Sequence, residues 1–292
     1  MNPRNALYLS LVAVAACAGR NAPVKAPVPA SYDPAKNDPK ALALIQKMTD
    51  ALGGAAAWDA VRQLSWTTEV ELNGQLRAHY HHDWDRWSAR HRLEHFNLAS
   101  YQQARATGDD KLIQQSVAMY PLYERNRGAA YYGKRHQMQD GIYSQPLPSD
   151  AAADAIDKAY ARWRQDAFML AFPFRLTEGG TYVKHDGDRN DEYCPNGCEV
   201  VAVTFEPPLP QDKFWINVDK KTLRPVLVEW QQADKPGRLA YKVTGWQKVG
   251  GLEFPTALDN VGARNMGDSE VWKFTDIQIG DPDDMLYIPQ VR

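Results

Sequence analysis

The 292-residue sequence has only three cysteines, Cys17, Cys194 and Cys198. It has no excess of charge: 34 Lys and Arg stand against 36 Asp and Glu, a formal net charge of -2. Without a basic run it lacks the electrostatic footprint of a nucleic-acid binder, and no nucleic-acid partner is expected. No apolar run reaches the roughly 20 residues that cross a bilayer as a helix. There is no Gly-x-Ser-x-Gly elbow, no phosphate-binding glycine loop and no dinucleotide fingerprint. These absences point away from an enzyme. No catalytic residue and no cofactor is expected.

What is present begins at the N-terminus. Met1 to Asn5 carries one positive charge, Arg4, and Ala6 to Ala16 is uncharged and largely apolar. That order, closed by small residues, reads as a signal peptide over residues 1–16. Val14-Ala15-Ala16 is followed at once by Cys17 and resembles the lipobox of bacterial lipoproteins. The resemblance implies cleavage before Cys17 and acylation of Cys17. Several acyl chains hold a protein to a membrane durably, where one is marginal. Ala18 stands where an inner-membrane lipoprotein tends to carry aspartate, so the resemblance implies the periplasmic face of the outer membrane. Residues 17–37, with Pro23, Pro27, Pro29 and Pro34 among small and polar residues, read as a stiff tether. Residues 38–292 are expected to form one monomeric domain.

Cys194 and Cys198 enclose Pro195-Asn196-Gly197, which is strong turn chemistry. In an oxidising compartment such a pair closes into a disulfide. The loop is short, so the bond is expected to stabilise by roughly 2 kcal/mol. A redox pair is more closely spaced, and further zinc ligands are not near in sequence. The expectation is a structural clip and no metal site.

Two helices are predicted. One starts at Asn37 or Asp38 and runs to Leu52, with Ala41, Ile45, Met48 and Leu52 on one face and Gly53-Gly54 beyond. The other follows Ser149, carries Ile156, Tyr160, Trp163, Ala167 and Leu170 at helical spacing, and is closed by Pro173. Nearly all the rest reads as strand and turn. Asn73-Gly74 between alternating runs is the clearest hairpin signal. Further strands are predicted over 87–96, 112–119 and 129–138. After the second helix come 181–185, 199–205, 213–218, 223–231, 239–249, 253–261 and 270–279. Consecutive short strands favour an antiparallel meander.

Several landmarks carry a resemblance. They are Leu52-Gly53-Gly54 with Trp58, Val61 to Leu64, and Phe168 to Phe174. Phe214 to Val226 and Gly245-Trp246 ahead of Gly250 to Pro255 add to them. Together they resemble the LolA/LolB-like lipoprotein-carrier superfamily over most of residues 38–280. The resemblance implies an α+β fold: an incomplete antiparallel β-barrel, a curved meander of about a dozen strands, with helices covering the concave side.

His91-Arg92-Leu93-Glu94-His95 matches the His-x-x-Glu-His pattern of a metallopeptidase class. That chemistry needs a helix. On the strand predicted here the two histidines would lie roughly 13 Å apart and Glu94 would face away. His79, His81 and His82 read as solvated strand histidines. Asp186 to Glu192 lacks the glycine and glutamate positions of a calcium loop and reads as a solvated turn. Among the strand tryptophans, most are expected in the core. Phe214-Ile216-Val218 and Val226-Val228-Trp230 form adjacent apolar stripes. Phe214, Ile216, Val226, Val228 and Trp230 are therefore the candidate ligand-binding face for a lipid or acylated molecule. The alternative is an envelope structural or partner-binding lipoprotein whose helices fill the hollow.

Overall fold

The computed structural model describes residues 28–88, 90–108, 111, 117–124, 129–138, 141–146, 149–207 and 209–287. The signal region, Cys17 and the first part of the tether lie outside the described residues.

Helix α1 (Pro39–Ala51) starts where the sequence predicts. The Asp38 carboxylate accepts from Lys40 N at 2.8 Å, and Pro39 sits in the first turn, where a missing N–H costs nothing. Ala41, Ile45, Met48 and Leu52 are all buried, with Leu44 beside them. A short helix α2 (Ala55–Ala60) then turns Trp58 inward.

Thirteen strands form one sheet among the described residues. They are β1 (Gln63–Leu72), β2 (Gln75–Asp85), β3 (Arg90–Phe96), β4 (Val117–Glu124), β5 (Ala129–Met138) and β6 (Gly141–Pro146). The second run is β7 (Thr181–Arg189), β8 (Cys198–Phe205), β9 (Lys213–Asp219), β10 (Pro225–Gln231), β11 (Leu239–Val249), β12 (Leu252–Asn260) and β13 (Glu270–Gly280). The order is β6-β5-β4-β3-β2-β1-β13-β12-β11-β10-β9-β8-β7, so two antiparallel meanders join where β1 pairs with β13. Asn73 and Gly74 have φ of 53° and 74°, the two positive values that a tight hairpin of matching twist requires. The sheet does not close. It is an open α+β half-barrel, the fold that the resemblance implied.

Helix α3 (Leu98–Thr107) was not foreseen. Asn97 caps it by accepting from Ser100 N, and Gly108 ends it in the left-handed region. It packs Tyr101 against His79 on the side of β2 away from the main core. Helix α4 (Ser149–Arg175) links β6 to β7, the two free edges of the sheet. Its 27 residues span about 40 Å along the sheet. Pro173 was expected to close this helix, but the helix runs on to Arg175. Pro173 removes one i→i−4 hydrogen bond from the helix, which continues for only two residues beyond it. The Pro173 carbonyl meanwhile accepts from Thr49 Oγ1 at 3.1 Å, tying α4 to α1. A five-residue helix α5 (Val261–Asn265) follows β12.

One core cluster unites α1, α2 and α4 with strands as far apart as β2 and β7. Trp58 stacks on Phe174 at 5.1 Å and meets Phe254 edge-on, which fastens the end of α4 to β12. The Arg86 guanidinium lies 3.7 Å over the Trp58 ring and donates to the Val61 carbonyl at 2.9 Å. Its burial lowers its pKa to about 10.

The described part of the tether, Val28 to Asn37, does not hang free. Asn37 Oδ1 accepts from Val183 N at 2.7 Å, and Tyr32 packs on Tyr182 with ring centroids 5.1 Å apart. The segment thereby covers the exposed edge of β7, a place where unpaired backbone invites aggregation.

Candidate functional site

The predicted apolar stripes lie on neighbouring strands in register. Phe214 pairs with Trp230, and Ile216 with Val228. They divide into two regions. Ile216 and Val228 are fully buried in the core beneath the helices. Phe214 and Trp230 stack at 5.8 Å and stand at the wall of a cavity of about 440 Å³. Val226 is a correction to the predicted stripe. The register slips between Pro225 and Leu227, which takes Val226 out of alternation, and it is half-buried outside the core cluster.

The cavity opens between α4 and the ends of β8 to β10. Helix α4 contributes Tyr160, Trp163, Phe168 and Met169, and β8 contributes Phe205. Phe168 lies 4.3 Å from Phe214, and Phe205 meets both rings edge-on. Leu209 and Pro210 close one side. Gly179 and Gly180 are open enough to seat the tether, since a Cβ on Gly179 would fall 2.3 Å from Val28 Cγ2. Of the charged lining residues Asp234 is exposed, and Arg164, Arg175, Glu178 and Asp212 are half-buried. Arg175 is bound in a fork to Glu178 at 2.9 and 3.0 Å, while Arg164, Asp212 and Asp234 ring the mouth. Sequence reasoning missed the α4 wall and the Leu209–Asp212 loop. Tyr160 and Trp163 stand at helical spacing in the sequence, with nothing local to say that part of this face borders a hollow.

On the other flank of α4 a polar file crosses the apolar interior. Arg162 Nε donates to Asp166 Oδ2 at 2.8 Å, and His82 Nε2 lies 3.0 Å from the same oxygen. His82 Nδ1 is 3.3 Å from His91 Nε2. Trp66 stacks on His82 at 4.4 Å, and Trp163 lies 4.9 Å from His91. Burial alone would raise the Asp166 carboxyl. Arg162 and His82 outweigh it and hold Asp166 below the ordinary carboxylate range. Burial lowers His82 despite Asp166, and lowers His91 further, with His82 adding to the effect. The expectation of solvated histidines is therefore corrected. His82 and His91 are buried by α4, and His79 is buried by α3, where it bonds to Glu69 at 3.1 Å.

The His-x-x-Glu-His run is strand, as predicted. His91 points into the interior, and Glu94 is on the opposite face, paired with Arg92. Cys194 and Cys198 are joined in a disulfide at the β7–β8 hairpin, with Cα atoms 5.5 Å apart. Among the described residues, one other group has metal-ligand character: His185, Asp188 and Glu199, whose ligand atoms lie within 4.8 Å of one another. His185 Nδ1 accepts from Gly187 N, so the neutral ring carries its proton on Nε2, toward Glu199 at 3.2 Å. Asp188 is bonded to Lys220 at 2.7 Å, and Lys40 lies 3.7 Å from Glu199. The group is satisfied as an ion-pair cluster.

No protein-family model matches the sequence, and no curated protein matches it. Solved structures do align with the fold. A DUF1329 family protein from Desulfovibrio piger aligns at 10% identity over 85% of this chain and 96% of that one, with a TM-score of 0.48. A LolA superfamily protein from Nitrosomonas europaea aligns at 12% identity over 85% and 97%, with a TM-score of 0.47. A putative outer membrane lipoprotein-sorting protein domain from Vibrio parahaemolyticus aligns at 12% identity over 85% and 96%, with a TM-score of 0.44.

Proposed function

We propose that this chain is a membrane-tethered binding protein that holds a hydrophobic ligand, a lipid or an acyl chain, between α4 and strands β8 to β10. The observation that carries the reading is the open cavity of about 440 Å³ with Phe168, Phe214 and Trp230 in its wall. Its volume and its apolar, aromatic lining suit a small ligand. The chain acts by binding and not by catalysis. Because the core cluster, with Ile216 and Val228 in it, fills the space beneath the helices, the ligand occupies one end of the half-barrel and not its whole length.

In this reading Cys17 carries the acyl anchor and places the domain at the periplasmic face of the outer membrane. Cys17→Ala should release the protein from the membrane fraction or leave an uncleaved precursor. Unchanged mass and unchanged membrane association would remove the anchor from the account. The binding claim is tested by native purification followed by mass spectrometry of co-purifying lipids. A stoichiometric apolar species supports it. Empty protein that also binds no added lipid favours the structural alternative.

A further inference from the structure

The cavity stands at one end of the half-barrel, and strand register shows which segments share that end. Thr181 pairs with Phe205, Val203 with Phe214, Phe214 with Trp230 and Trp230 with Leu239. The line continues through Tyr241 with Asn260 and Asp259 with Val271. The segments 209–212, 232–238 and 261–269 therefore project beyond the same sheet end as the cavity mouth. The Cys194–Cys198 clip and the 220–224 turn project from the other end, where Arg189 pairs with Cys198 and Cys198 with Asp219.

The tether reaches the domain at the cavity end. Val28 lies against Gly179, which lines the cavity, and a Cβ on Gly180 would fall 3.0 Å from Pro29 Cδ. Only residues 18–27 separate Val28 from Cys17, so Cys17 stays within about 40 Å of the cavity mouth even at full extension. Strand β7 carries the opposite end of the sheet about 30 Å further away. Exposed apolar side chains gather at the same end. Five large hydrophobic side chains are exposed among the described residues, and three of them stand here: Val28 at 51%, Leu239 at 36% and Met266 at 79%. They come from separate segments, the tether, the start of β11 and the turn after α5. Neighbouring strands lie about 4.8 Å apart, which puts Leu239 about 19 Å across the sheet from β7 and Met266, between β12 and β13, a further 5–10 Å on. Charge does not oppose such a footprint. Lys213, Lys235, Arg238 and Arg264 match Glu206, Asp212, Asp234 and Asp268 in number in and beside these segments.

We propose that this end is a membrane-docking surface: Leu239 and Met266 enter the headgroup region of the bilayer that holds the Cys17 anchor, and the cavity mouth opens onto that bilayer. A lone exposed leucine or methionine is ordinary on a protein surface. What points to a lipid surface is that these side chains share the end from which the tether leaves. Because the charges balance, the contact is apolar and needs no anionic lipid. The cavity then takes its ligand from the bilayer and not from free solution. The proposal rests on the membrane-tethered binding reading above.

The test places the acylated protein in vesicles of phosphatidylethanolamine and phosphatidylglycerol, with a fluorophore on Leu239→Cys, on Met266→Cys or, at the opposite end, on Lys221→Cys. Cys194 and Cys198 are bonded to each other and Cys17 carries the acyl chains, so only the introduced thiol is labelled. Lipids bearing a spin-label quencher near the headgroup should quench positions 239 and 266 at least twofold more than position 221. The double variant Leu239→Gln, Met266→Gln should take up a fluorescent phospholipid from its own vesicle at least fivefold more slowly than wild type. The same double variant in a Cys17→Ala background should bind a soluble hydrophobic probe within about twofold of Cys17→Ala alone, since neither position lines the cavity. Equal quenching at the three positions would overturn the docking, and unchanged uptake by the double variant would overturn delivery of the ligand through it. Protein that leaves the vesicles would remove the anchor and the docking with it. Absence of probe binding by the Cys17→Ala protein would instead overturn the binding reading, with the quenching still reporting on the docking.

Discussion

Phe214 and Trp230 stack across β9 and β10 with ring planes 9° apart, at the boundary between a filled core and an open hollow. Trp230 belongs to both, being 4% exposed within the core cluster. Trp230→Ala is therefore expected to cost about 3–5 kcal/mol of stability as well as weakening ligand contact. Val228→Glu would bury an unpaired carboxylate in the filled region and should prevent folding. Denaturant unfolding and expression level check both.

Gly53 and Gly251 explain why two glycine pairs far apart in sequence mark this fold. Gly53 has φ +119, and a Cβ there would fall 2.5 Å from the Gly251 carbonyl oxygen. Glu253 N donates to Leu52 O at 2.9 Å across the same contact, fixing the end of α1 to the β11–β12 turn. Gly53→Ala is expected to destabilise by about 2–4 kcal/mol, through both the dihedral and the clash. A melting temperature within two degrees of wild type would contradict this docking.

The Cys194–Cys198 bond should matter modestly. Replacing both residues with serine is expected to cost roughly 2 kcal/mol, because the closed loop is short. Thiol labelling of the oxidised protein should modify neither cysteine. Metal lost along with the cysteines would contradict a purely structural clip.

Asp166 joins Arg162 to His82 in the polar file. Asp166→Asn would leave Arg162 without its carboxylate and should cost about 3–5 kcal/mol. The pH dependence has a definite sign. His82 and His91 have folded pKa values below their ordinary 6.5, so the unfolded chain binds protons first as pH falls. Their contribution to stability is complete above about pH 6.5 and is lost progressively below it. Denaturant midpoints at pH 7.5 and 5.5 should differ in that direction, with a smaller difference in His91→Gln.

Local chemistry made much of the fold legible. Asp38-Pro39, Asn73-Gly74 and the alternation of β11 and β13 each specify an element without reference to the rest. Helix α3 had readable caps in Asn97 and Gly108, but its weak amphipathic pattern hid them. What escaped depends on contacts distant in sequence. His82 and Asp166 are 84 residues apart, and only the passage of α4 over β2 makes a strand histidine a buried one. Val226 was misplaced because a bulge breaks the period of two, which alternation alone does not reveal. The cavity itself arises from a gap between α4 and three strand ends, which no single stretch of sequence encodes.

Binding in that gap is tested most directly by titrating a hydrophobic fluorescent probe into the wild type and Phe205→Glu at pH 7.5. Phe205 lines the cavity but is only half-buried, so the added carboxylate should leave the fold intact, as circular dichroism will show. The wild type should bind one probe saturably and release it to an acyl-chain lipid, and Phe205→Glu should bind at least tenfold more weakly. No saturable binding by the wild type, or equal binding by a folded Phe205→Glu, would contradict the cavity as the ligand site.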